Sequence, residues 1–226
     1  SYRENVEIVR GVVARLGLGE SSVICDVGGG TGNFTCALAL DLPGARFVHL
    51  DANQEMNRIA NAKFLAAGVA SFEIVTNSVL EVEFEPASFD LVICINALYA
   101  MNPQDEVLRR IRSWIKPQGY FVVIDFGRPA KVLDWGRYIL GNMLKERGLA
   151  GSIRFVWDGK EALRQNRLGA KGQAKGVYWL HSTEEFGQVL SEAGFSIEEL
   201  QTCYRGYCDF AVCRNPSASS DTRLLS

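Results

Sequence analysis

Apolar residues at Val6, Val9, Val12, Val13 and Leu16 fall on one helical face, and Gly17 and Gly19 close that run as a helix terminus would. The period then changes. Ser22 to Asp26 is a short apolar run entering a glycine cluster, as a buried strand does, and Phe34 to Leu40 beyond the glycines reads as a helix. Ala45 to Leu50 forms a second strand that ends at Asp51, and Gln54 to Ala67 a helix. Strands are predicted at Phe72 to Thr76 and Phe89 to Ile95, then a helix over Asp105 to Trp114 and a strand over Tyr120 to Ile124. Strands alternating with helices need crossovers, which make the sheet parallel and cover both of its faces.

The alternation stops after Phe126. Lys131 to Leu149 has helical spacing at Val132, Trp135, Tyr138, Ile139, Met143 and Leu144, and a stretch rich in Gly, Lys and Arg runs on to Gly176 with no evident strand. Ser182-Thr183-Glu184-Glu185 is a capping box opening a helix through Ala193. Ser196 to Cys203 and Cys208 to Cys213 read as strands, and the link Tyr204 to Tyr207 is short enough for an antiparallel hairpin. The expected organisation is one domain over residues 1–214 with an inserted segment at about 127–178, followed by a small, polar, disordered tail over 215–226.

Composition narrows the class. At 226 residues, with 47% hydrophobic and 22% charged residues, the chain is expected to fold by itself around a sizeable core. No apolar run approaches the roughly 18 residues that a membrane span needs, and the first stretch is amphipathic rather than a signal peptide. A cytoplasmic protein with no membrane partner is expected. The six cysteines contain no CxxC pair, so buried free thiols are expected rather than a metal site. Net charge is −2, yet residues 128–175 carry 11 Lys and Arg against 4 Asp and Glu. That segment reads either as a solvated helical face or as a surface that attracts an anionic substrate.

The glycine turn carries the chemistry. In Cys25-Asp26-Val27-Gly28-Gly29-Gly30-Thr31-Gly32, four glycines follow a strand and precede a helix. A dinucleotide-binding turn wants G-x-G-x-x-G, but its third glycine falls on Asn33, and counting from Gly30 ends on Thr35. A phosphate loop is excluded because no Gly-Lys-Ser/Thr follows. A carboxylate at Asp26 would repel a phosphate and suits a ligand that presents an ammonium group.

The pattern D-x-G-x-G-x-G, here Asp26 to Gly32, resembles the first motif of the class I S-adenosylmethionine-dependent methyltransferases. Asp51 closes the second strand where that family holds the ribose hydroxyls, and Trp114-Ile115-Lys116-Pro117-Gln118-Gly119 is similar to its L-K-P-G-G turn. The resemblance covers about residues 5–214. It implies an α/β fold, a three-layer Rossmann-like sandwich with a seven-stranded, mostly parallel sheet and an antiparallel last strand. The cofactor it implies is S-adenosylmethionine, with S-adenosylhomocysteine as product. The residues expected at the cofactor are Asp26, Gly28, Gly29, Gly30, Gly32, Asp51, Ala52, Met56, Asn77, Ser78, Val79 and Asn96. Asp26 and Asp51 also have a plainer reading as helix caps.

Methyl transfer from a sulfonium is an in-line displacement, so positioning dominates and a base matters only where the nucleophile must lose a proton. Asn96 and Tyr99, at the end of the fourth strand, lie where the family places the transferring methyl group. Asn96-Ala97-Leu98-Tyr99 lacks both prolines of the N-P-P-Y tetrad of amino-methylating DNA enzymes. His181 and then Asp125 are the candidate bases, while His49 is expected to pack in the core. No metal ligand set is evident. Tyr2 reads either as a residue that closes on the cofactor or as part of a frayed terminus.

The leading expectation is a methyltransferase for a small-molecule acceptor of natural-product type. An enzyme acting on nucleic acid or protein through the basic 128–175 segment, and a cofactor-binding subunit without turnover, are the alternatives. Oligomeric state is unreadable, and a dimer is compatible with the sequence.

Overall fold

The computed structural model describes residues 2–129 and 178–217. Helix α1 (Tyr2–Val13) precedes strand β1 (Val23–Val27), helix α2 (Asn33–Asp41), β2 (Arg46–Leu50), α3 (Gln54–Ala67) and β3 (Phe72–Val75). Then come β4 (Phe89–Ile95), α4 (Gln104–Trp114), β5 (Ile115–Phe126), α5 (Thr183–Glu192), β6 (Ser196–Cys203) and β7 (Cys208–Arg214). The seven strands form one sheet in the order β3-β2-β1-β4-β5-β7-β6. Pairs within β1 to β5 are parallel, and β7 is antiparallel to both β5 and β6.

Alternation along each strand divides the core in two. Val92, Cys94, Phe121 and Val123 pack on one face with Ile111, Trp114, Phe186 and Leu190 from α4 and α5. Leu91, Ile93, Val122 and Ile124 pack on the other with Val9, Val12, Leu38 and Phe64 from α1, α2 and α3. The period of two therefore puts helices on both faces, as the sequence pattern requires. The chain crosses from β2 outward to β3 and back to β4 beside β1, leaving a crevice beyond the strand carboxyl ends, where open α/β sheets bind ligands.

Three departures from the sequence reading have local causes. Strand β5 starts at Ile115 rather than Tyr120, because Ile115 pairs with Phe89 and the register then shifts, with Gln118 at φ 66° taking up the irregularity. A short helical turn over Leu98–Ala100 follows β4. Asn215, assigned by sequence to a disordered tail, is buried: its amide donates to the Ile115 carbonyl at 2.7 Å and its N–H to the Gly119 carbonyl at 2.9 Å. The Lys131 to Leu149 helix, the rest of the inserted segment through 177, and residues 218–226 lie outside the described residues.

The capping box forms as expected. Ser182 Oγ accepts the Glu185 N–H at 3.1 Å, and Glu185 Oε2 accepts the Ser182 N–H at 2.7 Å. Ser182→Ala is expected to cost about 1 kcal/mol of unfolding free energy, read as a lower urea midpoint at unchanged slope. Among the described residues no helix is long and apolar enough to cross a membrane.

Candidate functional site

A cleft of about 450 Å³ opens at the carboxyl ends of the central strands. Val27 and Gly28 form its floor after β1, and Leu50, Asp51 and Ala52 line it after β2. Asn77, Ser78, Val79 and Leu80 close it beyond β3, and Asn96, Ala97 and Tyr99 to Asn102 form the wall after β4.

The glycine turn shapes the floor. Gly28 has φ 65°, a left-handed conformation that costs a side-chain-bearing residue about 1–2 kcal/mol. A Cβ there would stand 2.5 Å from Ala97 Cβ, so the bare backbone also lets the β1 and β4 ends approach. The turn is tied to β2 by Gly28 N–H donating to the Leu50 carbonyl at 2.7 Å. Gly30 N–H donates to Asp51 Oδ2 at 2.8 Å, and Asn53 N–H to Asp51 Oδ1 at 2.8 Å. Each Asp51 oxygen thus has one backbone donor and further acceptor capacity. The carboxylate is held in one orientation at the cleft edge, where it can receive a pair of hydroxyls.

Asp26 sits elsewhere. It is 2% exposed and is not among the cleft-lining residues. Its Oδ2 accepts the Thr35 hydroxyl at 2.8 Å and lies 3.9 Å from His49 Nδ1. Burial raises its proton affinity above the ordinary carboxylate range, against the opposing pull of His49 and Thr35. His49 in turn has Nε2 3.2 Å from the Gly30 carbonyl. The pair supports the glycine turn from beneath, so His49 does more than fill the core. Gly29, Gly30, Gly32 and Met56 also lie outside the lining, whereas Gly28, Asp51, Ala52, Asn77, Ser78, Val79 and Asn96 are within it.

The adenine-side candidates are partly committed to their own loop. Asn77 Oδ1 accepts the Ser78 N–H at 2.8 Å, and Ser78 Oγ accepts the Leu80 N–H at 3.2 Å. Those bonds use an oxygen of each side chain and leave the Asn77 amide hydrogens and the Ser78 hydroxyl hydrogen as donors. Asn57 fixes the neighbouring strand end, donating to the Asp51 carbonyl and to Thr76 Oγ1, both at 2.8 Å.

The four candidate catalytic residues fall in two layers. Asn96 and Tyr99 line the cleft. Asn96 has φ 55° and donates its N–H to the Ile124 carbonyl at 2.6 Å. The Tyr99 carbonyl accepts the Trp179 N–H at 2.8 Å, and its ring meets Phe126 and Tyr178 edge-on at 5.5 and 5.0 Å. Burial raises the Tyr99 phenol, with the neighbouring Tyr178 adding to it. Asp125 and His181 lie behind this wall, 0% and 4% exposed.

That second layer contains Asp209, a residue the sequence reading missed. Asp125 and Asp209 face each other across the β5–β7 pair. His181 Nδ1 stands 3.3 Å from Asp209 Oδ2, and its Nε2 stands 4.0 Å from Asp125 Oδ2. The ring stacks on Phe186 at 4.5 Å. Arg128 donates to both Asp209 oxygens, at 3.0 and 3.1 Å, and Thr183 Oγ1 donates at 2.7 Å. Arg128, grouped by sequence with a basic surface, is thus turned toward a buried carboxylate. Burial pushes Asp209 up, but the hydrogen bonds from His181, Thr183 and Arg128 outweigh it and leave the carboxyl below its ordinary range. Asp125 goes the other way. Burial, reinforced by the facing Asp209, holds it well above the usual carboxylate range; the Phe126 and Tyr99 amides oppose this without reversing it. Among the described residues, neither Asp125 oxygen nor His181 Nε2 has a hydrogen-bond partner at full bonding geometry. The available signal was a charged residue inside the apolar run Cys208 to Cys213, since a buried carboxylate demands partners.

Residues 24–119 match the family model described as a methyltransferase domain. A ubiquinone/menaquinone biosynthesis C-methyltransferase, UbiE, from Ralstonia nicotianae is 31% identical over 156 residues, 63% of this chain and 63% of that protein. The stretch from β1 to the turn within β5 is therefore similar to a methyltransferase domain. The chain spans just under two thirds of the length of that relative. Among solved structures, a SAM-dependent methyltransferase from Aquifex aeolicus superposes with TM-score 0.63 at 16% identity, covering 91% of this chain and 88% of its own. The [4+2]-cyclase SpnF does so with TM-score 0.66 at 15% identity, covering 94% and 82%. These two likenesses show the fold alone, the seven-stranded sheet between two layers of helices. The donor set of the cleft fits S-adenosylmethionine chemically: a fixed carboxylate for a diol, amide and hydroxyl donors beyond β3, and a side-chain-free floor.

Proposed function

We propose that this chain binds S-adenosylmethionine in the cleft and catalyses methyl transfer to a small-molecule acceptor whose attacking atom gives up a proton. The observation that carries the reading is Asp51, oriented by the Gly30 and Asn53 amides at the cleft edge across from the glycine floor. In this reading Asp51 holds the ribose hydroxyls, Asn77 or Ser78 the adenine edge, and Gly28 lies along the amino acid end. Asp26 acts through the turn it supports. When bound, S-adenosylmethionine would supply an activated methyl group, with S-adenosylhomocysteine as the demethylated product. The protein's part is to seat the acceptor against Asn96 and Tyr99 and to hold its proton.

The relative from Ralstonia nicotianae is named a C-methyltransferase, and methylation at an unsaturated carbon releases a proton, as does methylation of a hydroxyl. The Asp209, His181 and Asp125 cluster suits that demand. Two acceptors, Asp209 and the Ser182 carbonyl, face His181 Nδ1, so this nitrogen carries the hydrogen and Nε2 presents its lone pair toward Asp125. His181→Gln is expected to lower kcat about 100-fold, the low end of the roughly 10²–10⁴-fold range for acid–base catalysis. S-adenosylhomocysteine affinity should stay within about twofold. An unchanged kcat in a variant whose urea midpoint matches the wild type would assign His181 to structure alone.

Titration calorimetry with S-adenosylhomocysteine, followed by turnover on a panel of phenols, quinols and amines, tests the reading as a whole. Binding with proton-releasing acceptors turned over in preference to amines is expected. Absence of binding to the folded chain would overturn it.

A further inference from the structure

Cys203 ends β6 and Cys208 begins β7, and the two are direct cross-strand partners. They are the one cysteine pair at facing register positions among the described residues; Cys213 pairs with Ile197 and Phe121, and its side chain packs on the opposite face of the sheet. Directly opposed residues of antiparallel strands have Cα atoms about 4.5 or 5.5 Å apart, and either spacing lies within the roughly 4.4–6.8 Å that a disulfide spans. Both side chains pack on the face formed with α1, α2 and α3. The connecting link is tight, with Tyr204, Arg205 and Gly206 all left-handed at φ 49°, 59° and 79°. Cys203 is half-buried and accessible, whereas Cys208 is fully buried. The Cys208 thiol has two acceptors in reach, the Cys203 sulfur and Asn96 Oδ1 at 3.9 Å.

We infer that Cys203 and Cys208 form a reversible thiol-oxidation site that reads peroxide and reports to the cleft through Asn96. The chemistry balances with a hydroperoxide as oxidant. The Cys203 thiolate attacks one peroxide oxygen, the O–O bond breaks, and the leaving oxygen takes a proton as water or alcohol, giving a sulfenic acid. The Cys208 sulfur then attacks the Cys203 sulfur; the S–O bond breaks, and hydroxide leaves with the Cys208 proton as water. Two electrons pass from the two thiols to the peroxide. Cys208 loses its S–H, so Asn96 Oδ1 loses that donor.

The bond itself is independent of the proposed function, while its effect on the cleft rests on that reading. The full chain is exposed to hydrogen peroxide, alkylated and digested with trypsin without reductant. Arg205 lies between the cysteines, so the bond shows as two covalently linked peptides. Linkage is expected in the wild type and in Cys213→Ser, and absent from Cys203→Ser and Cys208→Ser. Sulfinic acid at Cys203 with no linked peptides, or linkage that survives Cys208→Ser, would overturn the site. Calorimetry on the oxidised wild type should show roughly threefold weaker S-adenosylhomocysteine binding, restored by dithiothreitol, since one weak hydrogen bond to Asn96 is lost. Equal affinity in both redox states would overturn the coupling. If the reduced chain binds no S-adenosylhomocysteine, it is the proposed function that fails, and the peptide map decides the oxidation site by itself.

Discussion

Asp51→Ala is expected to weaken S-adenosylhomocysteine binding about 1000-fold, the sum of two hydrogen bonds to a charged acceptor at roughly 1.5–3 kcal/mol each. The carboxylate is preorganised: both oxygens accept backbone N–H groups at 2.8 Å, and its own N–H donates to the Val75 carbonyl at 3.2 Å. Ligand binding therefore spends little on ordering it. Alanine removes the acceptors and also leaves the Gly30 and Asn53 amides without theirs, which loosens the turn forming the floor. Asp51→Asn, which keeps one acceptor oxygen, should fall between the two. Calorimetry on variants whose urea midpoints match the wild type would isolate the binding loss. An unchanged dissociation constant would remove Asp51 from the cofactor.

Gly32→Ala should destabilise the fold by about 3–4 kcal/mol, combining a left-handed backbone with overpacking of a close contact. Gly32 is the N-cap of α2 at φ 74°, and a Cβ there would stand 2.4 Å from Phe64 Cε1 and 3.0 Å from Ala60 Cβ. Phe64 has no room to yield, being 0% exposed and held edge-on by His49 at 5.4 Å and Phe72 at 5.1 Å. Gly30→Ala is the internal comparison. It shares the left-handed conformation at φ 56°, but its Cβ meets nothing within 4 Å, so only about 1–2 kcal/mol is expected. Urea unfolding of both variants without ligand measures the difference; equal losses would mean that the Phe64 contact costs nothing.

Much of the cleft was legible because its determinants are local. A glycine run after an apolar strand needs neither a partner nor a register to be read, and Asp51 at the end of the next strand follows from the same parallel topology. Asn77, Ser78, Val79, Asn96 and Tyr99 fall on the cleft for that reason, since each follows a strand carboxyl end. Asp26 shows where local reading stops. It was expected to face the ligand's ammonium group, yet its carboxylate points beneath the turn toward Thr35 and His49. Which way a residue at a strand end turns depends on what the neighbouring strand and the following helix place there.

The sequence by itself determined the order of strands and helices, the strand, glycine turn and helix that open the cleft, and the carboxylate at its edge. Hydrophobic period and glycine backbone freedom act within a few residues and survive without tertiary context. Only the tertiary structure decided that Asp209 faces Asp125 with His181 between them, that Arg128 turns inward, and that Cys203 meets Cys208 on the side of the sheet where Asn96 lies in reach. The Asp125–Asp209 and Cys203–Cys208 pairings are set by strand register, which across β5 and β7 aligns residues as far apart as Tyr120 and Arg214. A shift of one residue would turn each side chain to the opposite face.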